Sequence, residues 1–268
     1  MKRILFHGSP GLILAVVILL GSCEVQNRFL YFPSADRPPA RSLAAENMRL
    51  WQETSGDYRG LTADCEADAP HGTIVLFHGN GGTALDRGFY LPPLMRRGFR
   101  VILAEYPRYG GRPGRLGEEA FVADGRETVG WAYAQYGRPV YLLGESLGAG
   151  VAAAVAGKSP VPIAGVILMT PWDTLADVAR TQVPFLPAGL FLTDTYDSIG
   201  NLRLFKGKIA VIGAERDGII PVGHARRLYA SLPEVRKRLW VIRGAGHNDW
   251  PLYAGASLWE EVTNFVKE

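Results

Sequence analysis

The sequence predicts an α/β fold with a mostly parallel central sheet and helices on both faces, and three observations carry that prediction. Six short apolar runs are continuous rather than alternating in polarity, as in strands buried on both faces. Segments with helical character lie between them, and strand alternating with helix is the pattern of parallel sheets built from crossover units. The chain has 268 residues, 47% of them hydrophobic and 21% charged, which suits one large domain and excludes broad disorder. Its formal charge of +3 is spread along the chain, so no basic run offers a footprint for nucleic acid, and that partner class is set aside.

The first 22 residues differ from the rest. Lys2 and Arg3 precede an apolar stretch from Gly11 to Leu20, followed by Gly21-Ser22-Cys23, which reads as an export signal. The stretch is shorter than the roughly 20 apolar residues that span a bilayer comfortably, so a single N-terminal membrane anchor is the second reading. Leu20-Gly21-Ser22-Cys23 resembles the lipobox of bacterial lipoproteins, which implies a cleaved signal and a lipid on Cys23. Either reading holds the chain at a membrane of the cell envelope through its N-terminus. Cys65 stands among Asp64, Glu66 and Asp68, whose negative charge disfavours a thiolate, so a structural or surface role is expected. Residues 23–46, with Arg37-Pro38-Pro39-Ala40, show neither helical nor strand periodicity and read as a tether.

The domain proper is expected over residues 47–268. Met48 to Glu53 and Tyr58 to Asp64 form a predicted hairpin around Ser55-Gly56-Asp57. Buried parallel strands are predicted at Thr73 to Phe77, Val101 to Ala104, Val140 to Leu143, Ile163 to Met169, Ile209 to Ile212 and Leu239 to Ile242. Helices are predicted at Thr83 to Arg97, Gly117 to Tyr136, Leu147 to Ala156, Gly223 to Ser231 and Tyr253 to Lys267. Ligands of such sheets bind beyond the carboxyl ends of the strands, so chemistry is sought just after each apolar run.

Gly144-Glu145-Ser146-Leu147-Gly148 follows one strand and opens a helix rich in small residues. A serine on so tight a turn projects its hydroxyl above the sheet, while the glycines let strand and helix approach. A hydroxyl is a poor nucleophile until a base takes its proton. Of five histidines, His7 lies in the signal, while His71 and His224 suit solvated or structural roles. His247, in Gly244-Ala245-Gly246-His247-Asn248-Asp249, follows the last strand and is the best base. Asp217, just after Ile209 to Ile212, suits the acid that orients it, with Asp173 as a rival. Glu215 and Asp249 are expected at the surface, and Asp194 is a weaker competitor. His78-Gly79-Asn80 follows Thr73 to Phe77, so the backbone N–H groups of Asn80 and Leu147 are the expected oxyanion donors. His78 is expected to brace that loop.

Together Phe77-His78-Gly79-Asn80, Gly144-Glu145-Ser146-Leu147-Gly148, Asp217-Gly218-Ile219-Ile220-Pro221 and Gly246-His247-Asn248-Asp249 resemble the α/β-hydrolase superfamily, most closely its membrane-tethered serine hydrolases. The order Ser146, Asp217, His247 is that of the fold. Tyr106-Pro107-Arg108-Tyr109-Gly110-Gly111 is similar to a loop where such proteins carry Asp-Tyr-Arg-Gly-Tyr-Gly; Glu105 and Pro107 depart from it. The resemblance implies hydrolysis of esters, thioesters or occasionally amides without metal or organic cofactor, on a small-molecule or lipid acyl substrate or an acylated protein. A peptidase of the same fold and a noncatalytic scaffold are the competing readings. A short cap is expected over about 171–205. Its Trp172, Val183, Phe185, Leu186, Leu190, Phe191 and Leu192 would form either a lid over an acyl pocket or a helical connection packed on the sheet.

Overall fold

A computed structural model describes residues 26–54, 57–64, 70–184, 192–233 and 236–267. Cys23, Cys65, the export signal and cap residues Phe185 to Phe191 lie outside the described residues. The strands are β1 Met48–Trp51, β2 Gly60–Ala63, β3 Gly72–Phe77, β4 Phe99–Ala104, β5 Val140–Glu145, β6 Ile163–Met169, β7 Lys208–Ala214 and β8 Lys237–Ile242. The helices are α1 Ala40–Ala45, α2 Leu91–Met95, α3 Glu118–Tyr136, α4 Leu147–Gly157, α5 Leu175–Gln182, α6 Ser198–Leu202, α7 Gly223–Ser231 and α8 Ala256–Lys267.

Among the described residues the main sheet has eight strands in the order β8-β7-β6-β5-β3-β4-β2-β1. β3 through β8 pair in parallel, and β2 joins β4 and β1 antiparallel. The strand pleat sends successive side chains to opposite faces. Val75, Phe77, Leu142 and Val166 enter one core with residues of α3, α4 and α7. Ile74, Leu76, Leu143 and Ile167 enter the other with residues of α2 and α8. Both faces are dry, which accounts for the continuous apolar runs.

Two predicted helices change. The helix expected over Thr83 to Arg97 is a 3-10 segment, Leu85–Tyr90, followed by α2. Pro92 and Pro93 lack N–H donors and are tolerated only in the first turn, so α2 begins at their doorstep. The last helix starts at Ala256 rather than Tyr253, after a short 3-10 turn at Trp250–Leu252.

The stretch read as a tether is part of the fold from residue 26 onward. Residues 26–30 are helical, Phe32–Pro33 pairs in parallel with Gly81–Gly82, and α1 follows. Tyr31 and Leu43 are buried. These contacts lie far along the chain, so local periodicity carries no sign of them.

In the expected cap region, α5 and α6 are formed, Trp172 is buried with its indole N–H donated to the Tyr196 carbonyl at 3.1 Å, and Leu192 packs against the core. Val183 stays partly exposed. Among the described residues no helix is long and apolar enough to cross a membrane.

Candidate active site

Pairing of β3 with β5 sets Phe77 opposite Gly144, so the loop after β3 lies beside the turn after β5. On the other side, β7 pairs with β8 through Ala214 and Ile242, which brings the loops holding Asp217 and His247 together.

Ser146 occupies the turn between β5 and α4 with φ 54° and ψ −116°, a region L-residues rarely adopt, at a cost of about 1–3 kcal/mol. The surroundings impose it. A Cβ on Gly144 would stand 2.2 Å from the Gly148 carbonyl oxygen, and one on Gly148 would stand 2.0 Å from that of Phe77. Only glycine permits strand, turn and helix to close this tightly. The Ser146 N–H donates to the Met169 carbonyl at 2.9 Å, tying the turn to β6.

The Ser146 hydroxyl lies 2.9 Å from His247 Nε2, and His247 Nδ1 lies 2.7 Å from Asp217 Oδ2. Asp217 Oδ1 accepts the backbone N–H groups of Ile219 and Ile220 at 2.9 and 2.7 Å. With both oxygens accepting, the carboxylate is pinned, and Nδ1 must carry the hydrogen that it donates to Asp217. Nε2 is then left with its lone pair toward the serine hydroxyl. The Asp217 side chain is fully buried, whereas that of His247 is 10% exposed. This arrangement can draw a proton from a hydroxyl and steady the imidazolium that results.

The loop after β3 is fastened from several sides. Buried His78 has Nδ1 2.7 Å from the Gly79 carbonyl and Nε2 2.8 Å from Glu105 Oε1. Glu105 also accepts the Ala84 N–H at 2.9 Å; it is one of the two residues, with Pro107, at which the following loop departs from the family pattern, and it serves as a buried acceptor. The carbonyl of Gly79 and the N–H of Asn80 belong to one peptide unit, so the His78 contact fixes the direction of that N–H as well. Neither the Asn80 N–H nor the Leu147 N–H has a hydrogen-bond partner among the described residues.

The rival residues have other partners. Asp173 pairs with His224 Nδ1 at 2.7 Å and Arg227 Nε at 2.6 Å. Asp194 is buried against Gln26 and Tyr31. Glu215 and Asp249 are exposed, yet they accept the N–H groups of Gly244 and Gly246 at 2.8 and 2.6 Å and so shape the His247 loop. Glu145, inside the serine motif, is bound by Arg87 at 3.0 Å and by the Tyr90 hydroxyl at 2.9 Å. Burial, and then the Glu145 carboxylate, push the Tyr90 hydroxyl well above its ordinary pKa, so it remains a donor. Sequence reasoning assigned no role to Arg87 or Tyr90; the only signal was an acidic residue beside the serine. Among the described residues no group of three His, Cys, Asp or Glu side chains is placed to hold a metal ion.

A family described as having the alpha/beta hydrolase fold matches residues 72–200. The uncharacterized protein Rv2307c of Mycobacterium tuberculosis is 32% identical over 269 residues, spanning 96% of this chain and 94% of that protein. The mouse lysophosphatidylserine lipase ABHD12 is 27% identical over 199 residues, which cover 67% of this chain and about half, 50%, of the lipase. Among solved structures, the Pyrococcus furiosus esterase Pf2001 superposes with a TM-score of 0.65 at 16% identity, covering 89% of this chain and 97% of the esterase.

Proposed function

The chain belongs to the α/β-hydrolase family, and on that premise we propose that this hydrolase is a serine hydrolase cleaving carboxylic esters or thioesters. The observation that carries the reading is the continuous relay from Ser146 Oγ to His247 Nε2, at 2.9 Å, and from His247 Nδ1 to Asp217 Oδ2, at 2.7 Å. In this scheme Ser146 attacks the acyl carbon as its proton passes to His247. The oxyanion accepts the N–H groups of Asn80 and Leu147. The leaving alcohol or thiol takes the proton from His247, and water, deprotonated by the same nitrogen, releases the acid from Ser146.

The name of the ABHD12 relative supports singly acylated lipids as the class of ester to test first. A fluorophosphonate probe is expected to label Ser146, and Ser146→Ala to abolish both labelling and turnover of p-nitrophenyl esters. A folded wild type that does not react overturns the enzyme reading in favour of a scaffold, and turnover of peptides alone favours a peptidase.

The same reading keeps the chain at a membrane of the cell envelope through a lipid on Cys23. Metabolic labelling with a radioactive fatty acid is expected to mark the wild type and not Cys23→Ala; an unmarked wild type leaves the single N-terminal anchor.

A further inference from the structure

The loop bearing Asn80 is held not only by its neighbours in the sheet but also by a segment from the far N-terminal side of the domain. The Asn80 carbonyl accepts two hydrogens, from the Phe32 N–H at 2.9 Å and from the Tyr109 hydroxyl at 2.7 Å. Phe32 stands in parallel register with Gly81, and Pro33 with Gly82. The Phe32 ring takes no part, being 54% exposed.

One step earlier, the segment is clamped to the chain returning from the cap. The Tyr31 hydroxyl donates to Asp194 and lies 3.0 Å from the Tyr196 hydroxyl. Gln26 donates from its amide nitrogen to Asp194 at 2.6 Å, while its amide oxygen accepts the Thr193 N–H at 2.7 Å. Tyr196 in turn packs where a Cβ on Gly150 of α4 would stand 3.0 Å from its ring, and α4 is the helix that begins directly after Ser146. The strap therefore connects the loop after β3 with the return of the cap, against the helix that carries the serine.

We infer that residues 26–33 position the oxyanion loop, with the Phe32 N–H orienting the Asn80–Gly81 peptide and Tyr31 and Gln26 holding that donor in place. The inference rests on the serine-hydrolase reading for its catalytic consequence, but the clamp itself has a readout independent of chemistry. Two peptide units flank Asn80. His78 fixes the one carrying its N–H, and the strap with Tyr109 fixes the other. Freedom in either lets the donor swing away from the developing charge, and such donors work only when preorganised. Burial, and then Asp194, hold the Tyr31 hydroxyl far above its ordinary pKa, so the clamp keeps its proton at any working pH.

The test compares Phe32→Pro, which loses the exposed ring and replaces the N–H by a Cδ that cannot be accommodated as close as 2.9 Å to the Asn80 carbonyl, so that the strap contact is broken, with Phe32→Ala, which deletes the ring and keeps the N–H. In the full chain, Phe32→Pro is expected to speed amide hydrogen exchange across residues 79–82. It is also expected to lower kcat on p-nitrophenyl butyrate about tenfold at nearly constant KM, and to weaken a boronic-acid transition-state analogue by the same factor. Phe32→Ala is expected to stay within about twofold of wild type in all three. Tyr31→Phe, which keeps the ring against Phe121 and loses the hydroxyl, is expected to speed the same exchange and carries the test should Phe32→Pro not fold. Unchanged exchange at 79–82 in the folded variants, or equal losses in Phe32→Pro and Phe32→Ala, overturns the inference. A wild type that fails to react with fluorophosphonate overturns the hydrolase reading instead and leaves the exchange comparison to decide the clamp.

Discussion

Asp217 directs its two carboxylate oxygens to different tasks: one accepts the Ile219 and Ile220 N–H groups and the other faces His247 Nδ1. An asparagine there would keep an acceptor for one side and offer an N–H to the other, forcing His247 to turn its lone pair away from Ser146. Asp217→Asn is therefore expected to lower kcat by about three to four orders of magnitude with little change in melting temperature, as read by steady-state kinetics beside thermal unfolding. Ser146, Asp217 and His247 were legible as individual residues because each stands just past an apolar run, where the fold leaves side chains at the sheet edge. Glu215 and Asp249 were legible only as surface acids. Their bonds to Gly244 and Gly246 depend on how the His247 loop turns back, which no residue spacing encodes.

At the scale of elements, Asp173 joins the end of β6 to α7. Burial alone would raise its pKa, but hydrogen bonds from His224, Arg227 and the Thr174 N–H outweigh burial and hold the carboxyl below its ordinary range. A depressed carboxyl adds stability above its unfolded pKa, near 3.9, and loses it as the pH falls through the lower folded value. Asp173→Asn is thus expected to melt about 2–6 °C below wild type at pH 7. The gap should narrow in melting curves taken progressively below about pH 4. His224 bridges the same junction to α5, with Nε2 3.2 Å from the Thr181 hydroxyl. A histidine near a helix start gives no hint of this, because its partners lie 43 and 51 residues away. The helices that were legible include α3, which is long, α4, which is rich in small residues, and α7, whose predicted bounds Gly223 to Ser231 match those observed. The segment from Thr83 was misjudged because its polarity pattern fits a helix while the prolines at 92 and 93 reset the backbone midway.

For the whole molecule, the central sheet is buried on both faces, and β5 tests that directly. Leu142 faces the core shared with α3 and α4, and Leu143 faces the core shared with α2 and α8; both are fully buried. Leu142→Ala and Leu143→Ala are each expected to cost about 2–5 kcal/mol in denaturant unfolding, whereas a sheet with one wet face would show a large loss for only one of them. The sequence by itself determined the α/β class, the strand-turn-helix around Ser146 and the chain order of the three candidate residues. Continuous apolar runs report burial, and glycines report close backbone approach, within a few residues of themselves. Only the tertiary structure decided that β3 lies between β4 and β5, so that the Asn80 loop meets Ser146, and that residues 26–33 fasten that loop. Strand neighbours are chosen by the packing of crossover helices among apolar runs of similar composition, and the strap by hydrogen bonds between residues such as Tyr31 and Asp194, 163 positions apart. Such choices depend on the assembled chain rather than on any local stretch of it.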